Sequence, residues 1–322
     1  MTLPPIGATT DPAVTPADIE EAARRLTGHL RVTPLMHVFA ADLDLPVPCT
    51  LKLELLQHVG SFKPRGAFNR VLAAGQIPTA GLVAASGGNH GAAVAFVARS
   101  LGLTAEVFVP SSSPAMKRDR IASLGGILHM VDGLYDDAQA AATAHQSATG
   151  ALAVHPFDHA HVVAGQGTLA RELELQVADF DTVLVASGGG GFTAGQAAWF
   201  AGRKKVVSVE PHTSQCLHAA RTAGAPVEVS VAGLAADSLG AKRLGAVAWT
   251  IVQHYVAASV TVSDEAIRAA QLLLWDRLRL VAEPGGATAL AALHSGAYVP
   301  DPGERIVVVV CGSNCDPATV TG

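Results

Sequence analysis

Short apolar runs, glycine-rich turns and amphipathic stretches alternate along this chain. "GLVAAS" leads into "GGNHG" and then "AAVAFVARSLG"; "DTVLVAS" leads into "GGGGF" and then "TAGQAAWFAG". "AEVFVPSSS", "KKVVSVEP" and "RIVVVVC" read as further strands. Apolar runs of strand length without polar alternation predict strands covered on both faces, and the helical stretches between them predict crossovers. The expected class is therefore α/β, with doubly wound open sheets. Thr15-Pro16-Ala17-Asp18 reads as an N-cap with proline in the first turn, opening a helix that runs to about Leu26. A second helix is expected from about Pro114 to Leu124. No fixed-period repeat or low-complexity linker appears, so the only visible hint of a domain boundary is the break at 150–156. Ligands of open α/β sheets bind beyond the carboxyl ends of the strands. Three unusual loops fall there: 86–90, 188–191 and 311–314.

Composition narrows the partners. Of 322 residues, 49% are hydrophobic and only 15% charged, which builds a large core. The net charge of −5, with no basic run, argues against nucleic acid. No apolar stretch is long enough for a membrane span, and "MTLPPIGATTDPAV" lacks the basic-then-apolar order of a signal peptide. Cys49, Cys216, Cys311 and Cys315 show neither metal-type pairing nor disulfide spacing. The expectation is a cytoplasmic protein with reduced thiols.

Two segments carry candidate chemistry. In "SFKPRGAFNR", Lys63 sits among Ser61, Phe62, Pro64 and Gly66, in a chain with only 22 Lys and Arg. An amine in a half-apolar pocket has a lowered pKa and becomes nucleophilic, whereas an ordinary lysine packs its stem and wets its head. In "SGGGGFTAG", Gly188, Gly189, Gly190 and Gly191 let backbone N–H groups approach an anion ahead of a helix N-terminus. A tight strand-to-helix turn would need fewer glycines. Gly189, Gly191 and Ala194 also fit the dinucleotide fingerprint G-x-G-x-x-A, with Glu210 about twenty residues on. That NAD reading leaves Lys63, "SGGNHG" and "CGSN" without roles. A phosphate cradle, a nucleophilic lysine, an amide-bearing loop and a small hydrogen-bonding side chain together describe a pyridoxal phosphate site, with an amine for the cofactor aldehyde, an Asn for the ring hydroxyl and a Cys for the pyridine nitrogen.

The motifs "TPL" (33–35), "SFKPRGA" (61–67), "SGGNH" (86–90), "HPFD" (155–158), "AGQGT" (164–168), "SGGGGF" (187–192), "VEP" (209–211), "EPGGA" (283–287) and "CGSN" (311–314) occur in this order. In this the chain resembles fold-type II pyridoxal phosphate enzymes, of the tryptophan synthase β-like fold, and within them the serine/threonine dehydratase branch. The resemblance runs from about residue 15 to the C-terminus. It implies that Lys63 forms the Schiff base, that Asn89 meets the cofactor's 3′-oxygen and that Phe62 lines the ring. It implies that Gly188, Gly189, Gly190 and Gly191, with Phe192 after them, hold the phosphate, and that Cys311 faces the ring nitrogen. Ser86, Gly87, Gly88, Asn89 and His90 would hold the substrate carboxylate, and Ser86 would join Lys63 as a catalytic residue. A large domain (1–78 and 157–322) would carry a small inserted domain (79–156).

The resemblance also implies a reaction. Released Lys63 is placed to take the Cα proton. Cys311, a weak donor, favours loss of a β-hydroxyl over reprotonation. Similar racemases carry a second serine where this chain has Gly87, and an arginine near Asp137; both departures favour a dehydratase. Glu210 is the candidate for a divalent or monovalent cation, against a solvated strand end, but its expected acidic partner is replaced by Cys216. Glu283 is expected in the active site, and His90 and His155 as packed histidines. The sequence ends eight residues after Asn314, so a regulatory domain is not expected. The expected activity is dehydration and deamination of L-threonine or L-serine, or of another β-hydroxy amino acid such as 3-hydroxyaspartate or phenylserine. A racemase, a NAD-dependent dehydrogenase and a non-catalytic cofactor-binding protein are the alternatives. A small-molecule substrate and a homodimer or homotetramer are the expected partners.

Overall fold

The computed structural model describes residues 11–177 and 179–321. Most of the stretch read for a signal peptide, residues 1–10, lies outside them. Thr15 and Asp18 cap the first helix reciprocally, Thr15 N–H reaching Asp18 Oδ2 at 2.8 Å, and α1 runs Pro16–Arg25. Strands β1 (Leu35–Val38) and β2 (Cys49–Lys52) precede α2 (Lys63–Leu72). Then strands and helices alternate: β3 (Leu82–Ala85), α3 (Asn89–Ser100), β4 (Ala105–Pro110), α4 (Ala115–Ser123), β5 (Ile127–Val131), α5 (Tyr135–Thr149) and β6 (Leu152–Ala153). Next come α6 (Ala160–Gln176), β7 (Thr182–Ala186), α7 (Gly191–Phe200), β8 (Lys205–Pro211), α8 (Cys216–Ala223), α9 (Ala236–Leu239) and α10 (Ala246–Tyr255). The chain closes with β9 (Val256–Val262), α11 (Asp264–Leu278), α12 (Pro284–His294), β10 (Ile306–Val309) and α13 (Ala318–Thr321).

The strands form two sheets, in the orders β1-β2-β10-β7-β8-β9 and β5-β4-β3-β6. Every pairing is parallel except β1 with β2. At the antiparallel edge a short link returns the chain directly, where a parallel neighbour would need a crossover. β10 comes back from the end of the chain to lie between β2 and β7, so the loop after it stands beside the loop after β7.

Burial follows the strand period. On the four-stranded sheet, Leu82, Ala84, Val107 and Val109 pack with α3 and Ile121 of α4, while Val83, Ala85 and Phe108 pack with Ala138 and Ala142 of α5. Helix α2 lies against α3 through Ala67, Phe68 and Val71. It also lies against α6, where Gly165 admits it: a methyl group there would come within 2.5 Å of Arg65 O. The helix that opens with Lys63 is thus wedged between elements of both sheets.

A buried charge group fixes this helix further. Arg65 donates to Glu54 Oε1 at 2.6 Å and Oε2 at 3.0 Å and to Glu172 Oε2 at 2.9 Å, while Lys52 reaches Glu172 Oε1 at 2.5 Å. Thr33 of "TPL" donates to Glu54, and Arg65 donates to Thr168 of "AGQGT". Two cations face two carboxylates, so the burial is electrically balanced.

Candidate active site

The segment ahead of Lys63 is stitched to the loop after β10. Phe62 N–H donates to Cys311 O at 3.2 Å, Ser313 N–H to Gly60 O at 2.9 Å, and Asn314 Nδ2 to Val59 O at 2.7 Å. The "EPGG" segment packs onto the same loop: Glu283 N–H donates to Gly312 O at 3.1 Å and Cys311 Sγ lies 3.5 Å from Gly285 O. Lys63 and Cys311 are therefore neighbours through backbone pairing, although 248 positions separate them.

Among the described residues, four of the six lysines pair with carboxylates, Lys52, Lys117, Lys205 and Lys242, and Lys204 donates to Phe180 O at 2.6 Å. Lys63 instead donates to Pro156 O, the "HPFD" carbonyl, at 3.0 Å. Its Nζ stands 5.0 Å from the Phe62 ring centroid, and Phe62 stacks on Phe192 at 3.9 Å. Burial lowers the amine's pKa to about 8. A free base is thus available near neutral pH.

The glycine loop is a cradle. Gly190 has φ +85°, a left-handed conformation that suits glycine, and a methyl group there would collide with Leu244. The Phe157 ring packs on Gly189 closely enough that a methyl group would meet it at 2.5 Å. The first helical bond of α7 runs from Ala194 N–H to Gly190 O, leaving the N–H groups of its first turn free of helical partners. The buried hydroxyls of Ser187 and Thr193, on either side of the loop, find no partner among the described residues.

Asn89 opens α3, and its amide is locked at both ends. Nδ2 donates to Glu283 Oε1 at 2.6 Å, and Oδ1 accepts from Asn314 Nδ2 at 2.7 Å. One Nδ2 proton remains unassigned. Burial raises the Glu283 pKa to about 7, opposed by Lys117, Asn89 and Lys63. Burial also pushes the Cys311 thiol well above its ordinary value, so it stays neutral. Ser86 Oγ accepts from Gly88 N–H at 3.2 Å. His90 is buried with Nε2 on Val154 O at 2.7 Å and its pKa lowered to about 3 by burial, while His155 Nδ1 accepts from Asp158 N–H at 2.8 Å. Both are packed, neutral histidines. No side chain stands at Gly87, and Ser113 Oγ occupies the space one would take.

Glu210 needs correcting as to its surroundings. It is fully buried, not a solvated strand end. Its oxygens accept Leu217 N–H at 2.9 Å and His218 N–H at 2.7 Å, so the carboxyl caps α8. Both oxygens are engaged by backbone N–H groups, and among the described residues no cluster of three His, Cys, Asp or Glu could hold a metal. Burial raises its pKa to about 8.

The residues fit pyridoxal phosphate. A glycine cradle with unpartnered hydroxyls beside it suits a phosphate, an amine of lowered pKa held only by a carbonyl suits an aldehyde, an anchored amide suits the ring oxygen, and a neutral thiol suits the ring nitrogen. The family model described as "Pyridoxal-phosphate dependent enzyme" matches residues 26–312. The chain belongs to the pyridoxal-phosphate dependent enzyme family. Within this family it is 37% identical over 315 residues to the biosynthetic L-threonine dehydratase of Escherichia coli K12, covering 96% of this chain and 60% of that one. It is 36% identical over 307 residues to the L-threonine ammonia-lyase of Geobacter sulfurreducens, covering 94% and 76%. The chain spans about six-tenths of the length of the first curated relatives it matches. Among solved structures of this fold, maize serine racemase superposes with a TM-score of 0.89 at 29% identity, covering 95% of each chain. The crystal structure of the T.th. threonine deaminase superposes at 0.87 with 33% identity, covering 94% of this chain and 99% of that one. The fold-type II architecture expected from the motifs is the one observed. The dinucleotide reading of the glycine loop is set aside, and with it the dehydrogenase.

Three contributors had no role in the sequence reading: Asn314 as the partner of Asn89, Phe157 as the plate behind Gly189, and the turn α9. Asn314 and Phe157 lie inside quoted motifs, "CGSN" and "HPFD", which was the available signal. α9 lies in a stretch with no motif or period.

Proposed function

We propose that the protein is an ammonia-lyase that converts a small β-hydroxy amino acid, L-threonine or L-serine, to a 2-oxo acid and ammonia. The observation that carries this reading is the Lys63 amine, lowered to about 8, next to a Cys311 thiol that burial keeps neutral. Pyridoxal phosphate, when bound, supplies the electron withdrawal that acidifies the substrate's Cα–H. Lys63 would hold the cofactor covalently and, once the substrate amine has displaced it, its freed amine is placed to take the Cα proton. Residues 188–191 and the first turn of α7 hold the phosphate. Asn89, oriented by Asn314 and Glu283, turns its remaining amide proton to the ring oxygen. Phe62 lines the ring, with Phe192 stacked behind it. Ser86 and the backbone N–H groups of Gly87, Gly88, Asn89 and His90 take the substrate carboxylate. Cys311 meets the ring nitrogen as a weak donor, which favours prompt loss of the β-hydroxyl over return of a proton to Cα. The net change balances: L-threonine gives 2-oxobutanoate and ammonia, the water lost in elimination being regained in hydrolysis. The names of the dehydratase and ammonia-lyase relatives support L-threonine. The test is 2-oxo acid release from L-threonine, L-serine and 3-hydroxyaspartate by the holoenzyme. Release from L-threonine or L-serine is expected; none from any of the three would overturn the reading.

One observation favours a second reading, amino-acid racemisation. The Ser113 hydroxyl stands in the space left by Gly87, so a hydroxyl is present at the substrate loop after all. D-serine formation from L-serine, abolished in Ser113→Ala, is its test; a wild-type enzyme forming no D-serine ends it.

We further propose that 79–156 form the small inserted domain, which the separate sheet of β3 to β6 supports. A homodimer or homotetramer is supported by exposed Phe39 and Val32, 77% and 75% accessible. A cytoplasmic location is supported by four free cysteines. Among the described residues no helix is long and apolar enough to cross a membrane.

A further inference from the structure

The single turn α9 borders three of the loops that make the site. A methyl group built on Gly188 would lie 3.1 Å from Leu239 Cα, one on Gly88 would lie 4.0 Å from Asp237 O, and one on Gly285 would collide with Ser238 Oγ. Three consecutive residues thus face the phosphate loop, the substrate-carboxylate loop and the "EPGG" segment. Two contacts hold the turn: Lys117 of α4 pairs with Asp237, and Ser214 Oγ donates to Leu239 O at 2.9 Å. The Ser238 hydroxyl, by contrast, has only a long contact, 3.4 Å, to Ala235 O. It is half-buried and free to take a better partner.

The geometry points to Ser238 as a specificity-determining residue that hydrogen-bonds the β-hydroxyl of the substrate, with Leu239 as the apolar boundary of the side-chain pocket. This rests on the β-hydroxy amino acid reading above. The buried bond from Ser214 to Leu239 O and the Lys117–Asp237 pair keep the turn against the loops it borders. A hydroxyl at this point selects substrates that carry a hydrogen-bonding group on Cβ and gives nothing to those that do not.

The test uses the holoenzyme and its Ser238→Ala and Ser238→Thr variants with L-serine, L-threonine and β-chloro-L-alanine, which eliminates chloride and has no β-hydroxyl to bond. Ser238→Ala should lose about tenfold in kcat/KM for L-serine and L-threonine, the value of one hydrogen bond. It should stay within about twofold for β-chloro-L-alanine. Ser238→Thr keeps the hydroxyl and should retain L-serine, while its added methyl group discriminates against the larger L-threonine. Titrating the visible absorbance band with L-alanine, which lacks the hydroxyl, should give the same apparent Kd in wild type and Ser238→Ala. Equal losses on all three substrates, or no loss on any, would overturn the assignment while leaving the ammonia-lyase reading intact. A wild-type enzyme that turns over β-chloro-L-alanine but neither β-hydroxy amino acid would overturn both.

Discussion

Asn89 donates to Glu283 through a 2.6 Å hydrogen bond that joins residues 194 positions apart. Asn89 is the first residue of α3, beside the four-stranded sheet, and Glu283 is the N-cap residue of α12, beside the six-stranded one. The bond therefore ties the two sheets together at the site. Its acceptor is a buried carboxyl with a raised pKa, and that makes the tie sensitive to pH.

Burial lifts Glu283 from an ordinary 4.5 to about 7, so the folded protein favours its protonated form. A raised carboxyl binds more protons folded than unfolded between these values, so its contribution to stability falls as pH rises from about 4.5 to about 7. Glu283→Gln keeps the acceptor and removes the titration. Unfolding free energies of the two proteins, measured in the same cofactor state, should diverge in favour of Glu283→Gln across that window, by at most roughly 3 kcal/mol. Glu210 titrates with the same sign in both proteins and cancels in the difference. Parallel curves would contradict the assigned burial.

The Lys63 amine should react as a base of pKa about 8. The rate at which the apoenzyme takes up cofactor should climb with pH to about 8 and then level off. A rise continuing toward the ordinary lysine value of 10.5 would mean a solvated amine.

Gly190→Ala should leave a folded protein that holds its cofactor poorly. A left-handed alanine costs about 1–2 kcal/mol, and the methyl group meets Leu244 besides. Displacing the loop by that much should weaken cofactor retention by at least about tenfold, measured as the Kd from equilibrium dialysis. An unchanged Kd would show that the loop is not the phosphate cradle.

The charge group under α2 predicts a large penalty. Arg65→Leu leaves the buried Glu54 and the half-buried Glu172 with only Lys52 for balance, and should cost about 3–5 kcal/mol in urea unfolding. Arg305→Leu, which removes exposed pairs to Asp179 and Asp181, should change little. Similar losses in both variants would deny the buried group its role.

Strands β3, β4, β7, β8 and β10 were legible because sheets covered on both faces leave continuous apolar runs. β1, β2, β5, β6 and β9 were not. β6 has two residues, β5 is an edge strand with Ile127 and Met130 partly exposed, and "LMHV" and "CTLK" mix polar with apolar positions. The glycine loops and Lys63 stood out because their chemistry needs unusual local composition. Their supports did not: Asn314 reaches Asn89 across 225 positions, and α9 is placed by Lys117 on Asp237 and Ser214 on Leu239 O, contacts set by the tertiary fold. Glu210 misled because a buried helix cap and a ligand-reading carboxylate look alike in one dimension.

The most direct test of the account is to locate the covalent link. The holoenzyme is reduced with borohydride, digested, and mapped by mass spectrometry for the lysine that carries the phosphopyridoxyl group. The account predicts that group on Lys63, with Lys52, Lys117, Lys204, Lys205 and Lys242 unmodified. The group on any of those five, or on none, would contradict it.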